Sequence, residues 1–184
     1  SGYKPSTIHR RIARRMAIHQ LHTLSDYAKL VARDPAEAGR FVKDMLIGVT
    51  GFFRDSPAFA TLQKKALAPL VRSKGPGDRL RVWVAGCASG EEAYSVAILI
   101  AEVMAQQGIQ LTVQIFASDI DPQAIDTARL GSYPENIAEA ISPSRLSLFF
   151  NHSDGRYHVK KNIRDSIVFS THNLISAPPF ANID

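Results

Sequence analysis

Five residues in the middle of the sequence combine the side chains and the backbone freedom that a small polar ligand needs. Gly86 and Gly90 bracket a short loop, Glu91 and Glu92 follow it directly, and Asp119 ends a later apolar run. Glycine lets a backbone turn tightly and approach a ligand closely. Two carboxylates at the start of a helix suit the helix dipole, but they repel phosphate groups. The pattern therefore indicates a ligand that carries hydroxyl groups and positive charge.

The segments around this loop alternate in the way that an α/β protein requires. The run "RLRVWVAG" predicts a strand, "EEAYSVAILIAEVMAQQG" a helix that ends at Gly108, and "LTVQIFASDID" a second strand. Pro122 opens a further helix, and "SIVFSTHNL" predicts a third strand. This order is typical of a parallel, doubly wound sheet. Ligands bind such sheets at the carboxyl ends of the strands, so Asp119 is placed to bind a ribose hydroxyl.

The loop differs from the loops that hold dinucleotides. A dinucleotide needs the spacing G-x-G-x-x-G so that its pyrophosphate can rest on the helix N-terminus, whereas here three residues separate Gly86 from Gly90. S-adenosylmethionine meets the requirement, since it has a ribose, an adenine, a sulfonium, an α-amino group and no phosphate. A plain strand-to-helix turn with solvated acids is the alternative that the loop alone leaves open.

Residues 1–72 predict a helical N-terminal domain. Helical patterns run from about residue 8 to 21, begin again near residue 25, and follow Pro35 and Ser56. The segment "SKGPGDR", residues 73–79, has the composition of a linker, and residues 80–184 form the α/β domain. Within that domain, Asp154 and Gly155 predict the turn of a small β-hairpin subdomain at about residues 148–165.

The positive charge of the chain is concentrated near its start. The formal net charge is +5, and the basic and acidic residues from Asp26 onward balance, with 17 of each. Five cations precede Asp26: Lys4, Arg10, Arg11, Arg14 and Arg15. A helical wheel places the four arginines on one half of an amphipathic helix. We therefore expect one basic docking surface, not a general affinity for polyanions, and no nucleic-acid partner.

Several other kinds of site are disfavoured. The single cysteine, Cys87, excludes an internal disulfide, which fits a reducing cytoplasm, and we interpret it as a small buried residue. His19 and His22 could share a helix face, but the sequence offers no third ligand, so we expect no metal site. Phe52 and Phe53 are expected in the core. No run of residues is long and apolar enough to cross a bilayer, and no signal peptide is visible.

Five motifs, in order, resemble those of the chemotaxis methyltransferases that act on receptor glutamates: "YKPSTIHRRIARRM", "GVTGFFRD", "AGCASGEEAYSVAI", "FASDIDPQAIDTARLGSY" and "FSTHNL". The resemblance covers essentially the whole chain. It implies a Rossmann-like methyltransferase sheet, an all-α N-terminal domain before it and a small inserted β subdomain. It also implies methyl transfer from S-adenosylmethionine to glutamate side chains of bacterial chemoreceptors, giving methyl esters and S-adenosylhomocysteine.

The resemblance, together with the loop glycines, assigns roles to individual residues. Glu91 is expected to contact the amino-acid end of the cofactor, Asp119 the ribose, and Asn173 with Leu174 the adenosine. Arg54 is the candidate catalytic residue, either by neutralising the cofactor's carboxylate or by placing the carboxylate of the substrate. The expected cofactor-binding residues are Thr50, Arg54, Gly86, Gly90, Glu91, Asp119, Asn173 and Leu174.

Some positions depart from the patterns that this resemblance implies. Gly48 stands where family members often have Asn, and Val84 and Ala88 stand where methyltransferases at large have an acid and a glycine. The family pattern continues past Asp184 with a Cys-Arg-Asn motif and further strands. We therefore expect the C-terminal part of the sheet to lie outside this chain, and the chain alone to be weakly active or inactive.

The implied partner is the cytoplasmic helical domain of methyl-accepting chemoreceptors, and the expected docking residues are Arg10, Arg11, Arg14 and Arg15. Only "NHSDGR" separates Phe150 from Tyr157, whereas members that tether to a receptor's C-terminal pentapeptide carry a longer glycine-rich loop there. We therefore expect an enzyme that is independent of the tether, with no membrane insertion.

Two alternatives to an enzyme of this kind remain. The first is a regulatory module that senses S-adenosylmethionine without turning it over. The second is a nucleic-acid methyltransferase, which is disfavoured because "APPF" lacks the acid or amide that precedes Pro-Pro in those enzymes.

Overall fold

The chain divides into two compact units, Ser1–Ile47 and Gly48–Asp184. The computed structural model describes residues 5–45, 50–75 and 77–184; the predicted departure at Gly48 lies outside them. The division falls well before the predicted linker at residues 73–79. The reason is that the helices preceding this linker pack against a long helix of the domain that follows it, so they belong to the second unit.

Three helices form the first unit: α1 (Pro5–Ile18), α2 (Leu24–Arg33) and α3 (Pro35–Met45). Thr23 caps α2, since its side-chain oxygen accepts a hydrogen bond from the Asp26 amide at 3.1 Å. Pro35 occupies the first position of α3, where a missing backbone N–H costs nothing. These start signals agree with the helix starts predicted near residues 25 and 35.

A buried ion-pair network joins the helices of the first unit. Glu37 of α3 has 0% of its surface exposed and accepts a hydrogen bond from Arg15 Nε at 2.9 Å, with a second bond from Arg15 Nη2. Tyr27 Oη and Arg40 Nε donate to the same carboxylate at 2.9 and 3.0 Å. The Arg15 hydrogen bonds hold the pKa of Glu37 well below its usual value, although burial acts in the opposite direction.

The structure corrects the predicted basic surface at one residue. Arg15 was expected on the exposed face of α1, but only 8% of its surface is accessible, because its guanidinium turns inward to Glu37 and lies 3.6 Å from Asp44. Arg10 and Arg14 are exposed, and Arg11 is half-buried. The surface that remains therefore consists of Arg10, Arg11 and Arg14.

The second unit alternates helices and strands. In chain order it contains α4 (Ser56–Leu62), a π-helical turn (Gln63–Leu67), α5 (Ala68–Ser73), β1 (Arg79–Ala85), α6 (Glu91–Gln107), β2 (Thr112–Asp119), α7 (Pro122–Leu130), β3 (Ser132–Pro134), a 3-10 helix (Glu135–Glu139), α8 (Pro143–Phe149), β4 (Phe150–Ser153), β5 (Arg156–Val159), α9 (Lys161–Arg164) and β6 (Ile167–Thr171).

A three-stranded parallel sheet forms the centre of this unit, with strand order β1-β2-β6. The register aligns Ala85 with Ser118, and Ser118 with Ser170, so the three carboxyl ends lie at one edge. One face of the sheet is covered by α6, which is buried along most of its length. The sheet and its helices confirm the predicted Rossmann-like α/β fold.

The helical segment from α4 to α5 packs on the sheet through α6. Leu67 and Val71 are buried in the core, and Gln107 of α6 donates to the Ala68 carbonyl at 2.9 Å. Asp55 caps α4 by accepting a hydrogen bond from the Ala58 amide at 3.2 Å. This segment is therefore part of the α/β unit in the structure.

A second, antiparallel sheet has the order β3-β5-β4. The turn at Asp154 and Gly155 confirms the predicted hairpin, and both residues have a positive φ, 52° and 66°. The prediction did not include β3, because three residues ending in Pro134 carry no periodic signal. The small sheet thus begins before residue 148. Among the residues that the structure describes, no helix is long and apolar enough to cross a membrane.

We predict that the Glu37 network makes the first unit sensitive to acid. The pKa of Glu37 lies below its unfolded value of about 4.5, so its stabilisation is complete above that pH and is lost as the pH falls further. Glu37→Gln should lower the free energy of unfolding by about 3 kcal/mol at pH 7, because it removes the charge that the buried Arg15 needs. The measurement is amide hydrogen exchange in α1–α3 as a function of pH.

Asp26→Asn is the control, since the Asp26 carboxylate binds the Thr23 hydroxyl and Lys29 on an exposed surface, where such bonds contribute little to stability. Between about pH 2.5 and 4.5 the Glu37→Gln protein should show a flatter pH dependence than the wild type. If stability falls with pH equally steeply in the wild type and in Glu37→Gln, Glu37 is not the group responsible for the acid sensitivity.

Candidate functional site

The loop after β1 is bound to the end of β2 by backbone hydrogen bonds. The amides of Gly86 and Cys87 both donate to the Ser118 carbonyl, at 2.7 and 3.0 Å. The Ala88 amide donates to Asp119 Oδ2 at 2.8 Å. The course of the loop is therefore set by the neighbouring strand, at the sheet edge where ligands of doubly wound proteins bind.

The two glycines of this loop are needed for different structural reasons. Gly86 has φ +74°, and an added Cβ would meet nothing within 4 Å, so its surroundings are open. Gly90 has φ +96°, and an added Cβ would lie 2.8 Å from Ala128 Cβ. Gly90 therefore lets the start of α6 approach α7, while Gly86 makes the turn that leaves space above the sheet edge.

The two acids in the first turn of α6 lie in different surroundings. Glu91 is half-buried, and its Oε2 accepts a hydrogen bond from Ser89 Oγ at 2.8 Å. Glu92 is exposed and lines a separate shallow cleft of about 270 Å³ with Asp55 and Phe59 among its walls. The acids that the sequence shows as a pair are thus not equivalent, and Glu91 is the one that belongs to the loop.

Asp119 is the residue on which the loop and the two strands converge. Its Oδ2 binds the Ala88 amide, its Oδ1 accepts from the Asp121 amide at 2.9 Å, and its carbonyl accepts from the His172 amide at 2.8 Å. The side chain is half-buried. Each carboxylate oxygen has a second lone pair, so Asp119 can shape the loop and still accept a hydrogen bond from a ligand.

Asn173 and Leu174 follow β6 at the same edge of the sheet. Asn173 forms a local turn, with its Oδ1 accepting from the Ile175 amide at 3.0 Å. Leu174 is 55% exposed, so much of its side chain is accessible. The two residues supply a polar and an apolar surface near the end of β6.

The segment 50–54 is anchored by its two phenylalanines. Phe52 and Phe53 are 2% and 6% exposed, which confirms their predicted place in the core. The Phe53 amide donates to Ser95 Oγ at 3.1 Å, and Ser95 Oγ donates to the Glu91 carbonyl at 2.7 Å. Thr50 is half-buried and Arg54 is exposed. The segment that carries both predicted cofactor residues is thus bound to the first turn of α6.

Tyr133 connects the small sheet to the same region. Its hydroxyl donates to the Ser89 carbonyl at 2.7 Å. Its ring packs edge-on against Phe52, with the ring centroids 4.9 Å apart. Burial raises the pKa of Tyr133. Neither Tyr133 nor Ser95 was predicted as part of the site, because single hydroxyl residues carry no spacing signal. The motif "FASDIDPQAIDTARLGSY", which ends at Tyr133, was the one sequence feature that contained this residue.

Cys87 is unsuited to act as a nucleophile. It is 1% exposed, and burial together with the charge of Asp119 raises the pKa of its thiol to about 12. The thiol therefore keeps its proton at neutral pH, and the predicted burial of Cys87 is confirmed. Within the described ranges, no group of three or more His, Cys, Asp or Glu side chains could hold a metal ion.

Two family models match this chain. "CheR methyltransferase, SAM binding domain" matches residues 48–184, and "CheR methyltransferase, all-alpha domain" matches residues 1–46. The two matches meet where the chain divides into its compact units. The segment 50–54, the loop after β1 and the ends of β2 and β6 all lie within the first of these matches.

Individual proteins are similar along nearly the whole chain. An uncharacterised 104.1 kDa protein in the hypE 3' region of Rhodobacter capsulatus is 44% identical over 99% of this chain and 19% of that protein. Chemotaxis protein methyltransferase 2 of Pseudomonas aeruginosa is 31% identical over 95% of this chain and 61% of that protein. A probable chemotaxis protein methyltransferase of Rhizobium etli is 28% identical over 96% of this chain and 68% of that protein.

The chain thus spans between about a fifth and two thirds of the length of these relatives. Both family models describe parts of one kind of protein, and they appear here in adjoining segments that fold as separate units. The chain, with its S-adenosylmethionine-binding domain at residues 48–184, belongs to the CheR methyltransferase family.

Proposed function

We propose that this protein is a cytoplasmic methyltransferase that transfers a methyl group from S-adenosylmethionine to glutamate side chains of bacterial chemoreceptors. The observation that carries the proposal is the loop after β1, where an open glycine turn lies beside the carboxylates of Glu91 and Asp119. Its relatives named as chemotaxis methyltransferases support the choice of receptor substrates.

The residues at the sheet edge fit this cofactor. The turn at Gly86 has open space where a side chain would stand. The carboxylates of Asp119 and Glu91, bound to Ala88 and Ser89 of the same loop, suit a ligand with positive charge and hydroxyl groups. In the proposed arrangement Glu91 binds the amino group, Asp119 the ribose hydroxyls, and Asn173 with Leu174 the adenosine. Thr50 and Arg54 complete the site from the segment anchored to α6.

The proposed chemistry needs positioning more than proton transfer. When bound, S-adenosylmethionine supplies a methyl group activated by its positively charged sulfur. A glutamate side chain has a pKa near 4.3 in water, so the substrate is already ionised at neutral pH and no general base is required. Arg54 is proposed to hold a carboxylate, that of the cofactor or that of the substrate. Positioning of this kind contributes about 7–11 kcal/mol to lowering a barrier.

The first unit is proposed to bind the receptor. Arg10, Arg11 and Arg14 of α1 line a cleft of about 590 Å³ together with Lys43 and Asp44 of α3. Four cations against one acid make this cleft attractive to the acidic helices that carry glutamates. Arg15 is not part of this surface, because it is buried against Glu37.

The hairpin supports independence from a receptor tether. Two residues, Asp154 and Gly155, connect β4 to β5, so the turn is as short as a hairpin permits. A C-terminal receptor peptide would therefore find no extended loop there, and we propose that docking relies on the basic cleft alone.

The proposed function is tested by incubating the full-length protein with receptor membranes and S-adenosylmethionine that carries a labelled methyl group. We expect label in the receptor that is released by mild base, as esters are, and an equal rate for receptors that lack their last five residues. Base-stable label, or label in nucleic acid, would contradict the proposed substrate. Cofactor binding without any transfer would indicate a sensing module.

We predict that Glu91→Gln weakens binding of S-adenosylhomocysteine about tenfold, because a charge-assisted hydrogen bond to the amino group is lost. Ser89 Oγ can still bond to the amide, so the loop should keep its form. Titration calorimetry measures the affinity. Glu92→Gln is the matched control, since it removes the same charge from the same helix end, and it should change the affinity less than about twofold. Equal losses would show that only the general charge matters.

We predict that reversing Arg11 and Arg14 to Glu slows receptor methylation about tenfold at low salt, because the cleft then repels acidic helices. The affinity for S-adenosylhomocysteine should not change. The matched control reverses Lys29 and Arg33, two exposed cations that lie four residues apart on α2 of the same unit. Initial rates at several salt concentrations test this, and the difference between the two variants should shrink as salt rises. Equal slowing by both double variants would remove the cleft from the docking surface.

A further inference from the structure

Phe53 holds an unusual backbone conformation directly before Arg54. Its φ is +47°, in the left-handed region that residues with side chains rarely occupy. The hydrogen bond of its amide to Ser95 fixes one side of this residue. Its carbonyl accepts a hydrogen bond from Ser56 Oγ at 3.3 Å, which fixes the other side. A change in the orientation of the Phe53 ring would therefore also change the path of the backbone into Arg54.

The Phe53 ring is held between two neighbours. Phe59 of α4 contacts it edge-on, with the ring centroids 5.5 Å apart. The second neighbour is Arg145, whose guanidinium carbon lies 4.1 Å from the centroid of the Phe53 ring, well within the range of a cation–π interaction. The ring thus packs against an aromatic side chain from α4 and a charged side chain from α8.

Arg145 is itself held in a defined orientation. Its Nε donates to Glu102 Oε1 at 2.7 Å and its Nη2 to Glu102 Oε2 at 2.8 Å. A bidentate pair of this kind fixes the plane of the guanidinium as well as its position. Glu102 belongs to α6, the helix that also carries Ser95 and Glu91. Both parts of Phe53 are therefore positioned by α6: the backbone through Ser95, and the ring through Arg145 and Glu102.

We propose that Arg145 is a positioning residue for the cofactor site: with its plane fixed by Glu102, it holds the Phe53 ring and so keeps residues 50–54 in the form that cofactor binding needs. The proposal rests on the proposed function, in which Thr50 and Arg54 contact the cofactor. A purely structural role, joining α8 to α6, predicts a loss of stability without a specific coupling to Phe53.

The experiment measures the affinity of the full-length protein for S-adenosylhomocysteine by calorimetry, with a melting curve for every variant. Arg145→Met keeps the apolar stem and removes the charge and the planar fork; we expect its Kd to rise about tenfold. In a Phe53→Leu background, where no aromatic ring remains, the same change should raise the Kd less than about twofold. Arg145→Lys keeps a cation but loses the bidentate pair, so its Kd should lie between those of the wild type and Arg145→Met.

Lys161→Met is the control, because Lys161 also pairs with an acid of the second unit, Asp165, but on an exposed surface; its Kd should equal that of the wild type. An unchanged Kd for both Arg145 variants, or equal effects of Arg145→Met with and without the Phe53 ring, would overturn this inference alone. If Arg145→Met does not fold, Arg145→Lys decides by the same comparison. A wild-type protein that binds no S-adenosylhomocysteine would overturn the proposed function as well.

Discussion

The hold of β2 on the loop after β1 is the interaction on which the rest of the site depends. The Ser118 carbonyl accepts two loop amides, and the Asp119 carboxylate accepts a third. The last of these is a charge-assisted hydrogen bond, about twice as strong as a neutral one. Because the bonds run from backbone amides, no side chain at residues 86–88 takes part in them. Asp119 thus helps to fix the path of the loop in addition to its proposed contact with the ligand.

The first unit depends on a comparable constraint. A carboxylate with no exposed surface would normally be costly, yet Glu37 is bound by Arg15, Tyr27 and Arg40 at once. The charges compensate each other inside the helical unit, and the remaining arginines of α1 are then left for the surface. One helix therefore divides its basic side chains between the buried network and the surface.

Much of the second unit could be predicted from local signals. The apolar runs of β1 and β2, the C-terminal cap Gly108 and the first-turn Pro122 each act within a few residues, so they place their elements without tertiary information. The positions of Glu91 and Asp119 at the sheet edge follow from the same reasoning, since carboxyl ends of parallel strands meet at one edge.

The features that escaped prediction all depend on partners distant in sequence. Arg15 and Arg11 lie one helical turn apart and look equivalent on a helical wheel, yet Arg15 is buried because it binds Glu37, which is 22 residues away. Glu91 and Glu92 are neighbours in sequence, but Glu91 binds Ser89 of the loop while Glu92 lines a separate cleft. The place of α4 and α5 against α6 was hidden for the same reason, because a glycine-rich segment after them resembles a linker.

Two residues with side chains, Phe53 and Ala88, adopt a left-handed backbone at this edge, each with φ +47°. Such a conformation costs about 1–2 kcal/mol, and a glycine would avoid the cost. At Phe53 a glycine would also lose a buried ring, whose burial contributes about as much or more. In both residues the amide is bound by a side chain, Ser95 in one case and Asp119 in the other. The strained conformations are thus held by hydrogen bonds that the two amides donate to α6 and β2. Both backbones are therefore already ordered, and binding of a ligand there costs little free energy for ordering them.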